Sequence, residues 1–199
     1  MFNLNIKSIF LYLAFFTNVF ANQDFDHWLK KFQTTAVESG ISKKVVYEIM
    51  SSAKFLPKVI EYDRYQPEFY EDTFTYIKKR SSSRKIKAGV KLYNQKRIII
   101  EKIEKDFQVE KELLLALMGI ETNFGKYLGK MDIVSSLATL SYDKRRSAFF
   151  TEELLILLKL VDNNNINKDN LYASWAGYFG NLQFIPGTIL DYALYYYRN

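Results

Sequence analysis

Only eight glycines and three prolines interrupt 199 residues, and between them the apolar side chains recur at helical spacing almost throughout. Sheets need turn-forming clusters at short intervals and period-two alternation; neither is evident, so the chain reads as all-α. The spacing predicts helices over Phe25–Glu38 and, after Gly40 with Ser42 as cap, over Lys43–Lys54. A linker around Pro57 to Pro67 is expected next. Further helices are predicted over Glu68–Arg80, Arg84–Asp106, Glu110–Thr122, Asp132–Leu140 and Ala148–Val161. An exposed Asn-rich loop, Asp162–Asn170, precedes a last helix, Pro186–Tyr196, with proline in its first turn.

Composition removes most reaction classes. With no cysteine there is no disulfide, thiolate nucleophile or Cys-based metal site. The single histidine, His27 in DFDHWL, sits beside Trp28 and reads as a surface or half-buried residue; no His-rich zinc site can be assembled. Gly-rich phosphate loops and nucleophile elbows are absent, which leaves carboxylates for acid and base work. The net charge of +6 suits an acidic polymer, including a cell wall bearing peptide and lactyl carboxylates, and would suit nucleic acid or anionic lipid equally. The clusters Lys78-Lys79-Arg80 and Arg84-Lys85-Lys87 read as a solvated helix face.

Residues 1–21 have the pattern of a secretory signal: Lys7, an apolar run Ile9–Phe16, then Val19-Phe20-Ala21 before Asn22. The run is short for a membrane span and is broken by Thr17 and Asn18; an uncleaved anchor is the alternative. The expectation is an exported, periplasmic domain over residues 22–199.

Leu113 to Ile120 (LLLALMGI) has no polar side chain and reads as a buried helix that ends at Glu121. Glu110 and Glu112 suit its N-terminus, and Gly125 suits its stop. Apolar surroundings and the negative end of the helix dipole both disfavour the anion, so a raised pKa is expected for Glu121. An acid still protonated near neutral pH can protonate a leaving group. The plainer reading is a surface Glu in a last turn.

Three more clusters follow: Asp143-Lys144-Arg145-Arg146 before Phe149-Phe150, Ser174-Trp175-Ala176-Gly177, and Gly180-Asn181-Leu182-Gln183-Phe184-Ile185-Pro186. Amides, hydroxyls, aromatic faces and cations are the mixture sugar sites use. Taken singly, each cluster reads as structural.

Together and in order, GIETNFG (119–125), SSLATLSYDKRRSAFF (135–150), EEL (152–154) and SWAGYFGNLQFIP (174–186) resemble the lytic murein transglycosylase B family of bacterial cell-wall enzymes, the membrane-bound lytic transglycosylase B type. DRYQPEF (63–69) also resembles that family's N-terminal part, so the resemblance covers nearly the whole chain after residue 21. It implies a lysozyme-like all-α transglycosylase domain with N-terminal helices, and Glu121 as the single catalytic acid and base. It also implies that Arg145 and Arg146 contact the glycan or its peptide stem, and that Ser174 and Gln183 line the site near the cleaved bond. Tyr76, in FTYIKK, matches a substrate-contacting tyrosine by a looser alignment. The implied partner is the peptidoglycan glycan strand, with no cofactor and no nucleic acid; peripheral membrane association stays open.

The chain departs from the family at Tyr178-Phe179 and Gly187, and it ends at Asn199, soon after the Pro186 helix. The expectation is a C-terminally incomplete domain in which Ile189, Leu190 and Leu194 expose apolar surface, with no calcium loop. A catalytically inactive remnant or wall-binding protein, and a lysozyme-type hydrolase, remain alternatives.

Overall fold

The computed structural model describes residues 24–66 and 71–193. Among them are helices at 24–38 (α1), Lys43–Met50 (α2), Pro57–Arg64 (α3), Thr73–Arg80 (α4), Ser83–Phe107 (α5) and Lys111–Thr122 (α6). Ile133–Tyr142 (α7), Ser147–Asp162 (α8) and Pro186–Tyr192 (α9) complete the set. Two short antiparallel strands, Met131–Asp132 (β1) and Tyr172–Ala173 (β2), pair with Met131 opposite Ala173. The expected signal segment, positions 67–69 of DRYQPEF, and 194–196 of the expected last helix lie outside the described residues.

The chain divides into two compact units. The first comprises the residues up to Pro57 and Val134–Asn170; the second comprises Lys58–Ile133 and the residues from Leu171 on. In the first unit every residue from Val134 to Ser141 is buried. Helix α8 supplies Phe150, Leu154, Leu157, Leu158 and Val161, an i, i+4, i+7, i+8, i+11 stripe that buries one helical face. Phe25, Trp28, Phe55 and Tyr142 close one end in edge-on and stacked ring contacts of 5.5–6.1 Å.

The hydroxyls on buried α7 carry backbone. Ser135 Oγ accepts from Lys54 N at 3.0 Å, and Thr139 Oγ1 accepts from Leu56 N at 3.0 Å. Four helical residues rise about 6 Å and two extended residues about 6.6 Å, so an i, i+4 pair on a helix matches an i, i+2 pair on an extended strand. Lys54 and Leu56 are held in this way outside any helix, and α2, expected to run to Lys54, ends at Met50. Ser42 caps α2 by accepting from Val45 N, and its own N–H and Oγ donate to the Asp162 carboxylate at 2.9 and 2.6 Å. Those bonds hold the Asp162 carboxyl below its usual range.

The expected linker is a helix for most of its length, and all of that helix after Pro57 belongs to the second unit. Pro57 occupies the first position of α3, where a missing N–H costs nothing, and Val59 and Asp63 are buried. Asp72 caps α4, accepting from Thr75 N at 3.0 Å, so α4 begins at Thr73. Helix α5 packs along α6 through a short turn whose cap, Gln108, is left-handed. Glu104 of α5 accepts from Lys111 N at 3.1 Å and thereby caps α6, while Lys111 Nζ pairs with the same carboxylate.

The largest departure from expectation is α6 itself. It is not a buried helix: Leu113, Leu117 and Ile120 are 52%, 41% and 45% exposed, and of its residues only Gly119 and Thr122 are buried.

Candidate active site

Glu121 stands in the last turn of α6 and is exposed, so the apolar enclosure expected around it is missing. What surrounds the position is a rigid backbone turn. Asn123, Phe124 and Gly125 are all left-handed, with φ of 50°, 59° and 79°. Phe124 folds its ring back beneath α6, where a Cβ on Gly119 would lie 2.8 Å from it and one on Gly89 3.2 Å. The glycine of the GIET segment therefore makes room for the phenylalanine five residues later.

Thr122 ties this turn to the later loop. It is fully buried; its Oγ1 accepts from Gly125 N at 2.9 Å and lies 3.0 Å from the Asn181 carbonyl and 3.1 Å from that of Met118. Gly125 has φ 79°, which favours glycine, and a Cβ there would come 2.8 Å from Asn181 Oδ1, so a larger residue would be strained and would push the Asn181 side chain aside. Gly129 is likewise constrained against β2: its φ is 87°, and a Cβ there would overlap the Ala173 backbone at 2.1 Å.

The loop 174–185 is held by its own hydrogen bonds. Ser174 Oγ accepts from Tyr178 N at 3.1 Å while Ser174 N donates to the Tyr178 carbonyl at 2.8 Å. Phe179 and Phe184 then exchange two backbone bonds of 3.0 Å around the turn Gly180–Gln183. Gln183 is itself left-handed, φ 52°, and its Nε2 donates to the Gly180 carbonyl at 3.0 Å. Of the five non-glycine residues at positive φ among the described residues, three flank Glu121 in these two turns. Such costly backbone persists where surrounding structure over-determines it, commonly at functional sites.

The turns form the walls of a cleft of about 760 Å³. Glu121 and Leu117 of α6 lie on one side; the rings of Trp175, Tyr178 and Phe184, the Gln183 amide and Thr188 line the other. Trp175 is backed by Tyr62 at 6.4 Å between ring centroids. Among the described residues that line it, Glu121 is the one carboxylate. No group of three His, Asp or Glu able to hold a metal is present among the described residues.

Of the residues singled out in the sequence, Glu121 and Gln183 thus share one cleft. Ser174 does not line it and instead shapes the turn that carries Trp175 and Tyr178. Tyr76 lines neither this cleft nor a second one of about 390 Å³ on the opposite flank of α6; its ring lies 3.6 Å from the Arg80 guanidinium. Arg145 and Arg146 belong to the first unit, where Arg146 precedes α8 and lies over the Phe150 ring at 4.8 Å. Thr122 and Asn181 lock the two turns together; Asn181 belongs to the amide cluster already visible in the sequence, whereas Thr122 shows there only as a lone hydroxyl closing an apolar helix.

The profile of the family described as Transglycosylase SLT domain matches residues 24–198. The chain belongs to this family. It is 29% identical over 165 residues to membrane-bound lytic murein transglycosylase B of Escherichia coli (strain K12), an alignment covering 78% of this chain and 46% of the relative. The crystal structure of SltB3 from Pseudomonas aeruginosa in complex with NAG-NAM-pentapeptide superposes with a TM-score of 0.83 at 29% identity, over 88% of this chain and 47% of that one. Escherichia coli Slt35 in complex with bulgecin A gives a TM-score of 0.74 at 29% identity, over 84% and 55%. The all-α architecture expected from helix spacing is thus that of solved lytic transglycosylases. The chain spans about half the length of the transglycosylase relatives it matches.

Proposed function

We propose that this protein cleaves peptidoglycan glycan strands as a lytic transglycosylase, with Glu121 as both acid and base. The reading is carried by a single carboxylate exposed in a cleft with aromatic and amide walls. A glycosidase of the common kind flanks the scissile bond with two carboxyl groups; one acid is enough when the substrate supplies the rest. Protonated Glu121 gives its proton to the oxygen joining N-acetylmuramic acid to N-acetylglucosamine, and the bond from that oxygen to the anomeric carbon breaks. The N-acetyl oxygen of the muramic sugar stabilises the positive charge at that carbon. The sugar's own 6-hydroxyl then attacks it and returns a proton to Glu121, closing a 1,6-anhydro ring. No water is consumed, and the acid is regenerated.

Gln183 is suited to hold a sugar hydroxyl or N-acetyl group beside Glu121, and the rings of Trp175, Tyr178 and Phe184 to cover apolar sugar faces. Ser174 acts by holding their turn. Arg145, Arg146 and Tyr76 take the glycan and stem-peptide contacts that the family resemblance implies. In this reading residues 1–21 direct export and the 22–199 domain acts in the periplasm in peripheral contact with the membrane. SltB3 in its complex with NAG-NAM-pentapeptide supports the substrate class. The openness of the cleft also favours a second reading, glycan binding without cleavage.

Incubation of the purified protein with peptidoglycan, followed by mass spectrometry, decides between them. Anhydro-muropeptides that vanish in Glu121→Gln are expected. Reducing-end products would move the assignment to a hydrolase, and retention on the wall without products would leave a binding protein.

A further inference from the structure

From Thr73 to Ile100 the chain carries nine Lys or Arg and no Asp or Glu. At its average composition, 22 acids and 28 bases in 199 residues, such a stretch would hold about three acids and four bases. It forms α4 and most of α5 in the second unit. Three of its cations are engaged: Lys79 and Arg80 with Glu71, and Arg97 with Glu101. Lys78, Arg84, Lys85, Lys87, Lys91 and Lys96 make no ion pair among the described residues.

A solvated cationic face would be polar between its charges, and this one is not. Phe74, Ile77, Ile86 and Val90 are 74%, 56%, 60% and 55% exposed. On α5, Ile86 and Val90 form an i, i+4 edge beside Lys87 and Lys91, the next exposed i, i+4 pair around the helix. That apolar edge opens into the cleft of about 390 Å³, whose inner wall is Leu115, Ala116, Ile120 and Phe124 and whose rim includes Arg80 and Lys85. Lys111 and Glu112, paired with each other at 3.3 Å, close its far end without adding net charge.

We infer that the exposed edge of α5 carrying Ile86, Lys87, Val90 and Lys91 docks on an anionic phospholipid surface. Its lysines meet the headgroups, and Ile86 and Val90 enter the headgroup boundary. A soluble polyanion would satisfy the charges but leave Ile86 and Val90 in water, so the mixed edge fits a bilayer better than nucleic acid or a polyphosphate. The inference rests on the peripheral membrane contact proposed above and not on the chemistry of Glu121, which faces the other cleft.

The test is co-sedimentation of the purified protein with vesicles of phosphatidylglycerol and phosphatidylcholine in equal parts, against vesicles of phosphatidylcholine alone, with muropeptide release measured in parallel. Binding to the anionic vesicles only is expected. Lys87→Glu/Lys91→Glu should weaken it by at least about tenfold. Ile86→Ser/Val90→Ser should weaken vesicle binding while leaving capture by a soluble polyphosphate unchanged, with the circular dichroism and melting temperature of both variants near those of the parent. Equal binding to neutral vesicles, or vesicle binding indifferent to either double variant, would overturn the inference. Because muropeptide release is read separately, a failure of membrane docking and a failure of the enzymatic reading give different results.

Discussion

Two helices of this chain invert the usual link between apolarity and burial. Helix α6 has no polar side chain from Leu113 to Ile120, yet exposes Leu113, Leu117 and Ile120; α7 carries Ser135, Ser136, Thr139 and Ser141 and is buried from Ile133 to Ser141. The hydroxyls are tolerated because three of them bond to backbone: Ser135 and Thr139 accept from the extended segment, and Ser141 donates to the Leu137 carbonyl at 2.7 Å. Ser136 is the exception, buried with no partner for its Oγ. Burial thus follows what surrounds a helix, and α6 is left open on both flanks, one holding Glu121 and the other the apolar cleft. A helix that is covered buries even its hydroxyls, and a helix left uncovered keeps even its leucines in contact with water.

The contrast breaks most readily in α7. Leu137→Ala removes a fully buried side chain and should cost about 2–5 kcal/mol in thermal or urea unfolding. Thr122→Val should cost about 1–3 kcal/mol by stranding the Gly125 N–H. It should also lower turnover, because the Glu121 turn loses its tie to Asn181, and Thr122→Ser should restore both. If Thr122→Val destabilises without slowing turnover beyond the loss of folded protein, the tie holds the fold and not the acid. Thr139→Val leaves the Leu56 N–H unpaired in the first unit, at a similar or slightly lower cost, with no change in the activity of the folded fraction.

A smaller effect is expected from Ser42→Ala. The Asp162 carboxyl is held below its usual range by the Ser42 side-chain and backbone bonds, so their contribution is fully present above the unfolded carboxyl value of about 3.9 and is lost as pH falls through the depressed folded value. Acid unfolding should therefore begin at higher pH in Ser42→Ala, while in Asp162→Asn the effect of Ser42→Ala should lose its pH dependence and keep only a constant cost from the lost α2 cap and any bond from Ser42 to the substituted amide.

Elements with local signals were legible in the sequence. Helix α6 keeps its expected end, although its left-handed cap is Asn123 and not Gly125, and α9 starts where Pro186 announces it. The segment around Pro57 was misread because proline both breaks and begins helices, and Val59 turned out to be buried. That Glu121 and Gln183 carry groups suited to a site is readable in the sequence, but not the means by which they share a cleft. That depends on contacts between distant segments, Thr122 with Asn181 and Gly129 with Ala173, for which no spacing rule exists. The exposure of α6 was illegible for the same reason: a run of leucines records that a helix can be buried, not whether anything covers it.

The smallest expected effect is the sharpest test of the comparison. Leu113→Ser replaces an apolar residue at the head of a run, Leu113 to Ile120, without a polar side chain, and sequence reasoning alone would assign it the cost of opening a core. At 52% exposure, on a helix whose neighbours leave that face open, it should change stability by no more than about 0.5 kcal/mol in urea unfolding. A cost above about 2 kcal/mol, approaching that of Leu137→Ala, would mean that α6 is covered in solution after all. On the reading proposed above, that cover would then have to leave free the neighbouring flank with Leu117 and Glu121 for a glycan strand to reach the acid.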